Sequence, residues 1–277
     1  MKIIVCVKVS ADPDILSFDI VKNTLLNIHP IVDPLDLQVL EEGLRIREQQ
    51  GGEVIVVSAA PDTEEELVRS ALLSGADRAI RVWIDALKGA DTFLVSQVLK
   101  EAIEKVGFDL ILCGARSSDQ GSECMAASLG HLLNLPLATQ IISLECGNRS
   151  LTVYKKLERG ERETYTISLP AILALEQGIN EPRYVAPFSR TYREGMKKEV
   201  EFFKPALHQI TATPYLSTIR YTPPRPRVKV GIDIDRLSME ERLKMMRGEL
   251  GSKKEIFEGE PRLAAQKIAT KLFELIK

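Results

Sequence analysis

Apolar, largely β-branched residues gather in short runs at 3–9 (IIVCVKV), 54–58 (VIVVS), 79–82 (AIRV) and 110–113 (LILC). Between them, amphipathic stretches at 36–49, 63–74 and 92–106 repeat with helical spacing. Near-continuous apolar runs of this length suit strands buried on both faces. Strands that alternate with helices predict a parallel sheet joined by right-handed crossovers. The helix starts are marked by Pro34-Leu35-Asp36, Asp62-Thr63-Glu64-Glu65 and Asp91-Thr92, which place Pro, capping oxygens and acids where a helix N-terminus favours them.

From Ala138 the pattern changes. Extended segments at 140–145, 150–157 and 163–169 are separated by the turns Cys146-Gly147-Asn148 and Glu158-Arg159-Gly160-Glu161, which predicts an antiparallel meander. Residues 171–175 (AILAL) add one more buried strand, and after Gly178 the chain turns polar and irregular through 198. Pro214, Pro223, Pro224 and Pro226 punctuate an extended stretch, and a charged helix over 261–276 carries Leu263, Ile268, Leu272 and Ile276 on one side. The expected fold is therefore α/β, an open and mostly parallel sheet with helices on both faces. It carries an antiparallel β meander, a core over 1–204, and a C-terminal arm over 205–277 that lacks a core of its own and is either disordered or packed on another subunit.

Ligands of such sheets bind at the carboxyl ends of strands, here 8–10, 58–60 and 113–118. The last of these opens into GARSSDQGSEC (114–124) and a helix-like segment at 122–133. Gly114 and Gly121 let a backbone approach, Ser117, Ser118 and Ser122 bring hydroxyl donors, and a helix N-terminus brings unpaired amides, which together suit a phosphate. Plain helix capping by Ser118 or Asp119 accounts for the same letters.

Charge and cysteine content narrow the classes. Lys and Arg number 37 against 39 Asp and Glu, a net charge of −2 that makes no electrostatic case for nucleic acid. No apolar run approaches the roughly 18 residues of a membrane span, and MKIIVCVKV is too short for a signal peptide. Cys6, Cys113, Cys124 and Cys146 form no CxxC or Cys/His cluster, and His29, His131 and His208 lack metal-ligand spacing. No metal site, disulfide framework or catalytic residue is expected, and a reducing cytoplasm fits. Cys113 and Trp83, at strand ends, read as packing residues, and Glu41-Glu42 and Glu64-Glu65-Glu66 as helix-start or solvated acids.

The stretches MKIIVCVK, DPLDLQVLEEGLRIRE, VVSAAP, ALLSGADRAIRV and LERGERETYTISLPAILALEQGINEPRY resemble the β subunit of electron transfer flavoproteins. The likeness runs to about Tyr184, with its most specific parts at 160–170 and at Asn180-Glu181-Pro182-Arg183-Tyr184. Ser117-Ser118-Asp119 after Cys113-Gly114-Ala115-Arg116 is similar to the bacterial, nitrogen-fixation-associated branch. The resemblance implies a sheet like that of the adenine nucleotide α-hydrolases and a heterodimer with an α subunit. It implies a redox-active FAD shared with that subunit, and AMP or a second FAD in the β subunit. Electrons would come from a dehydrogenase of the acyl-CoA type and pass to a quinone oxidoreductase or ferredoxin, with or without bifurcation, and the arm from 205 would wrap the α subunit. By motif, the nucleotide site comprises Cys6, Asp33, Pro34, Leu35, Asp36, Ala59, Gly114, Arg116, Ser117, Ser118, Asp119, Gly121, Ser122, Glu123, Cys124 and Met125. Three positions depart from the family: Asp33 stands where Asn is common, Cys124 lacks the amide of the usual Gln, and Glu123 sets a like charge beside a phosphate.

Residues 183–198 mix Arg183, Arg190, Arg193, Lys197 and Lys198 with Tyr184, Phe188 and Tyr192. A solvated loop is the plain reading. The resemblance implies a loop recognising partner dehydrogenases, with Tyr184, Pro187, Phe188, Arg190 and Arg193 in contact and Phe188 as apolar anchor. Two rivals share such a sheet. An adenine nucleotide-binding enzyme of the ATP-pyrophosphatase type calls for an SGGxDS-like loop where Val7-Lys8-Val9-Ser10 stands, and a stress or regulatory module calls for a G-x2-G-x9-G-[ST] loop missing from the chain.

Overall fold

The computed structural model describes residues 1–206 apart from 20, 21, 23 and 148, and beyond them only 238–240, 265, 266 and 269. Two compact units divide the chain, Met1–Pro223 and Pro224–Lys277. The arm expected from 205 and its helix at 261–276 lie almost wholly outside the described residues.

The first unit is built on a nine-stranded sheet. Its parallel strands are β1 (Lys2–Cys6), β6 (Glu53–Ala59), β7 (Arg78–Val82), β8 (Leu110–Gly114), β12 (Ala171–Leu175) and β13 (Val200–Phe203), joined through β12 to β9 (Leu137–Cys146). The antiparallel strands β10 (Ser150–Lys156) and β11 (Arg162–Ser168) continue from β9, so the order is β11-β10-β9-β12-β8-β1-β6-β7-β13. Small antiparallel pairs join β2 (Val9–Ala11) to β5 (Pro30–Val32) and β3 (Ser17–Asp19) to β4 (Thr24–Leu26).

Successive strand residues feed opposite cores. Ile3 and Val5 pack under α1 (Pro34–Gln50) and α2 (Glu65–Leu73) with Val39, Leu44, Val68 and Leu72. Ile4 and Cys6 pack under α3 (Thr92–Val106) and α4 (Met125–Leu133) with Leu94, Val98, Ile103 and Leu129. Trp83 joins the second core. At the helix starts, Asp33 accepts from the Leu35 amide with Pro34 behind it, and Asp91 accepts from the Leu94 amide.

Several expectations change. The run 3–9 is two strands, because the N-terminal turn of α1 captures the Lys8 backbone: Lys8 N donates to Asp36 Oδ2 at 2.7 Å, and Asp33 N donates to Lys8 O at 2.9 Å. The helix expected from 122, α4, begins at Met125, and a 3-10 turn (Asp62–Glu64) precedes α2. β9 begins at Leu137 because its first residues pair parallel with β12 before it turns to β10. The segment read as irregular to 198 holds α5 (Arg190–Met196), capped by the Ser189 hydroxyl, and leads into β13. Arg78 holds β13 through Glu201 at 2.7 and 2.8 Å, and Arg81 lies 4.8 Å over the Phe202 ring. Among the described residues, no helix is long and apolar enough to cross a membrane, and no cluster of three metal-ligating side chains occurs.

Candidate functional site

The three expected strand ends converge on one cavity of about 260 Å³. β1 brings Cys6 to its floor, β6 brings Ala59, and β8 brings Cys113 and Gly114, while the start of α3 and the loop between β8 and α4 form the rim. Cys6 and Cys113 occupy the same face of adjacent strands, and both are buried. The neighbouring Cys6 thiol and burial push the Cys113 thiol well above its ordinary range. Cys113 is 1% exposed and packs in the second core.

Of the residues expected at the site, Cys6, Asp36, Ala59, Gly114, Arg116, Ser117, Asp119, Ser122, Glu123, Cys124 and Met125 line this cavity. Asp33, Pro34, Leu35, Ser118 and Gly121 are not in its lining. Asp33 is buried and works from behind: its Oδ2 accepts both the amide and the hydroxyl of Ser118 at 2.7 Å, while Oδ1 caps Leu35 N at 3.1 Å. Ser118 is therefore neither an N-cap nor a rim donor but the tether of the 115–124 loop to α1, with Ser10 Oγ a further 3.1 Å away. The glycines act differently from expectation as well. Gly121 is required for its left-handed backbone, φ +57°, and a Cβ there would approach only Ser117 O at 3.9 Å. A Cβ on Gly114 would meet Asp36 Oδ1 at 2.6 Å and Leu35 at 3.2 Å, so this glycine lets α1 close on β8.

Charges at the mouth are mixed. Asp36 is buried at the cavity; burial, together with the charge of Asp33, overcomes the Lys8 and Gly114 amide hydrogen bonds and the Lys8 charge and pushes its pKa up to about 8. Burial would raise Asp119 too, but hydrogen bonds from Lys8 and Ser117 and the Lys8 charge outweigh it, and the carboxyl titrates below its ordinary value. Lys8 Nζ lies 2.6 Å from Asp119 Oδ1. On the far rim, Thr92 Oγ1 and Ser122 Oγ are 3.1 Å apart, so the loop meets both Lys8, just past β1, and α3. Glu123 stands at φ +57°, and the Cys124 thiol donates to Ser122 O at 2.9 Å. With α4 beginning at Met125, its amides lie at the lower edge of the loop and not at Gly121.

Sequence reasoning placed 8–10 at a ligand-binding strand end but gave Lys8 and Val9 no role of their own, and it missed Thr92 and the apolar wall of Val7, Leu87, Val95 and Leu99. Asp91-Thr92 was legible only as a helix start, and Lys8 sat inside a run read as strand. A wall drawn from distant segments has no local signature.

The second surface lies at 180–198. Arg183, grouped with the loop's positive field by its charge, is instead bound to α1: its guanidinium meets Glu41 at 2.7 Å and Glu48 at 2.6 Å. Asn180 donates to Gln38 O and Glu42 Oε2. Glu41, read as a solvated acid, is buried at 5% exposure as the partner of Arg183 and Arg45. Beyond this clamp, Tyr184 and Phe188 are 86% and 79% exposed, with the Phe188 ring 6.3 Å from that of Tyr192. Pro187, Arg190 and Arg193 are exposed beside them, with Arg190 paired to Glu194 at 2.8 Å.

Comparison with known proteins adds the following. The electron transfer flavoprotein domain profile matches residues 27–207. The chain is 37% identical over 166 residues to the electron transfer flavoprotein subunit beta of Methylophilus methylotrophus, covering 58% of this chain and 62% of that one. The chain thus spans about three fifths of that relative. To the subunit beta of Thermoanaerobacterium thermosaccharolyticum it is 33% identical over 203 residues, 73% of this chain and 77% of the relative. Protein FixA of Sinorhizobium fredii is 31% identical over 190 residues, with 65% and 66% covered.

Proposed function

The chain belongs to the electron transfer flavoprotein family, and from that premise we propose that it is the β subunit of a heterodimeric electron carrier whose FAD is held jointly with an α subunit. The flavin supplies the redox chemistry; this chain binds, orients and docks. The observation that carries the reading is the cavity at the carboxyl ends of β1, β6 and β8, whose lining separates by chemistry. Val7, Val9, Leu87, Val95 and Leu99 offer an apolar wall for a base, and Lys8, Thr92, Arg116, Ser117 and Ser122 offer donors for a ribose phosphate. That division fits an adenine nucleotide. At about 260 Å³ the cavity is small beside the roughly 300–1,000 Å³ of ordinary ligand pockets, which favours AMP over a second FAD lying wholly in this chain. Asp119 and Glu123 oppose a phosphate at the mouth, and Lys8 and Arg116 offset them.

The donor in this reading is a dehydrogenase of the acyl-CoA type that engages Tyr184, Pro187, Phe188, Arg190 and Arg193. The acceptor is a quinone oxidoreductase or ferredoxin, and the site of action is the cytoplasm. Exposed aromatic side chains beside surface charges suit a brief encounter. Purification of the chain co-expressed with its α subunit tests the proposal. We expect a yellow complex that releases FAD and AMP on denaturation, identified by chromatography and mass. A colourless chain that releases no nucleotide overturns it.

A further inference from the structure

Lys8 stands apart from the other charged groups of the cavity because its backbone is pinned from both sides. Its amide donates to Asp36 Oδ2 at 2.7 Å and its carbonyl accepts from Asp33 N at 2.9 Å. Both bonds come from the first turn of α1, so the position of the lysine is set by the sheet and the helix together. Its side chain lies in the cavity lining, with Nζ 2.6 Å from Asp119 Oδ1 and 3.4 Å from Ser117 Oγ. The cations of that lining are Lys8 and Arg116. Arg116 is exposed on the loop, where a guanidinium has many places to go.

We infer that Lys8 is the residue by which this site reads the anionic group of its ligand, with Asp119 as the positioning partner that holds the ammonium at the mouth. The inference rests on the nucleotide reading above. A phosphate monoester carries about −1.5 to −2 charges at neutral pH and three acceptor oxygens, more than one carboxylate can offer the three donors of an ammonium. The Lys8–Asp119 pair is partly exposed, with side chains 36% and 26% accessible, so its own net strength is small. Asp119 also has partners to keep: the Gln120 amide lies 2.6 Å from Oδ1, and Ser117 bonds the carboxyl as well. Exchange of Asp119 for a phosphate therefore strands neither charge.

The test compares AMP with adenosine, which differ by the phosphate alone, in titration calorimetry on the nucleotide-free full-length chain. The wild-type protein should prefer AMP. Lys8→Gln should lower AMP affinity about tenfold, the scale of one hydrogen bond to a charged group, while adenosine affinity stays within about twofold, and Lys8→Arg should restore most of the preference. Asp119→Asn, on the exposed loop, should raise the AMP-to-adenosine ratio because the ammonium is no longer compensated. An unchanged ratio in both Lys8→Gln and Asp119→Asn overturns the role of Lys8 while leaving nucleotide binding intact. A wild-type chain that binds neither compound overturns the nucleotide reading itself, and this inference with it.

Discussion

Replacing Asp33 tests whether one buried carboxyl organises both the start of α1 and the rim of the cavity. Asp33 is 1% exposed and accepts three hydrogen bonds, from Leu35 N, Ser118 N and Ser118 Oγ. Loss of an N-cap costs about 1 kcal/mol, and each further hydrogen bond contributes about 1–2 kcal/mol, less for Ser118 where water can replace it. Asp33→Ala should therefore destabilise the chain by about 3–5 kcal/mol, a large share of a typical total of about 5–15. Asp33→Ser separates the contributions, because a serine hydroxyl still caps the helix but is too short for Ser118; its cost should be about 2–3 kcal/mol. Ser118→Ala keeps the amide bond but removes the hydroxyl's contacts with Asp33 and Ser10; a double-mutant cycle of Asp33→Ala with Ser118→Ala cancels the Ser10 contact and should show a coupling of about 1–2 kcal/mol. Urea unfolding followed by circular dichroism supplies these values as midpoint shifts at constant slope. A coupling near zero, or an Asp33→Ser protein as stable as wild type, refutes the tether.

Asp36 gives a pH signature: its folded pKa of about 8 lies above its ordinary 3.8, so the folded chain retains a proton that the unfolded chain has released. Its contribution is full at low pH, falls as pH rises from about 4 to about 8 at up to about 1.4 kcal/mol per unit, and levels above that. Asp36→Asn should flatten stability over that window, and parallel pH profiles of the two proteins would sink the idea. At the second surface, Phe188→Ala should slow electron uptake from the donor dehydrogenase without changing nucleotide content or assembly, and wild-type uptake rates across donor concentrations would count against docking there. Arg183→Ala should instead destabilise the fold by about 1–3 kcal/mol, seen as a lower unfolding midpoint, because it leaves the buried Glu41 with Arg45 alone.

Local chemistry was enough to read the parallel core. Continuous Val/Ile runs cannot be solvated on either face, and Asp33-Pro34 and Asp91 announce helices through bonds made within three residues of themselves. The same locality made the strand ends, and so the neighbourhood of the cavity, legible: a parallel α/β sheet leaves those ends together whatever loops follow. Tertiary structure alone decided the rest. β13 is a strand because Arg78 and Arg81, far away in sequence, hold Glu201 and Phe202, and VEFF carries no such information. Ser118 reads equally as a cap or a phosphate donor until Asp33 arrives from across the sheet to take both its donors. Arg183 looks like free surface charge until the chain folds back on Glu41 and Glu48. Lys8 looks like the sixth residue of a strand until α1 takes its backbone and turns its ammonium to the cavity. In each case the deciding hydrogen bond or ion pair spans tens of residues, and a pattern read over a few neighbours cannot contain a partner brought near only by folding.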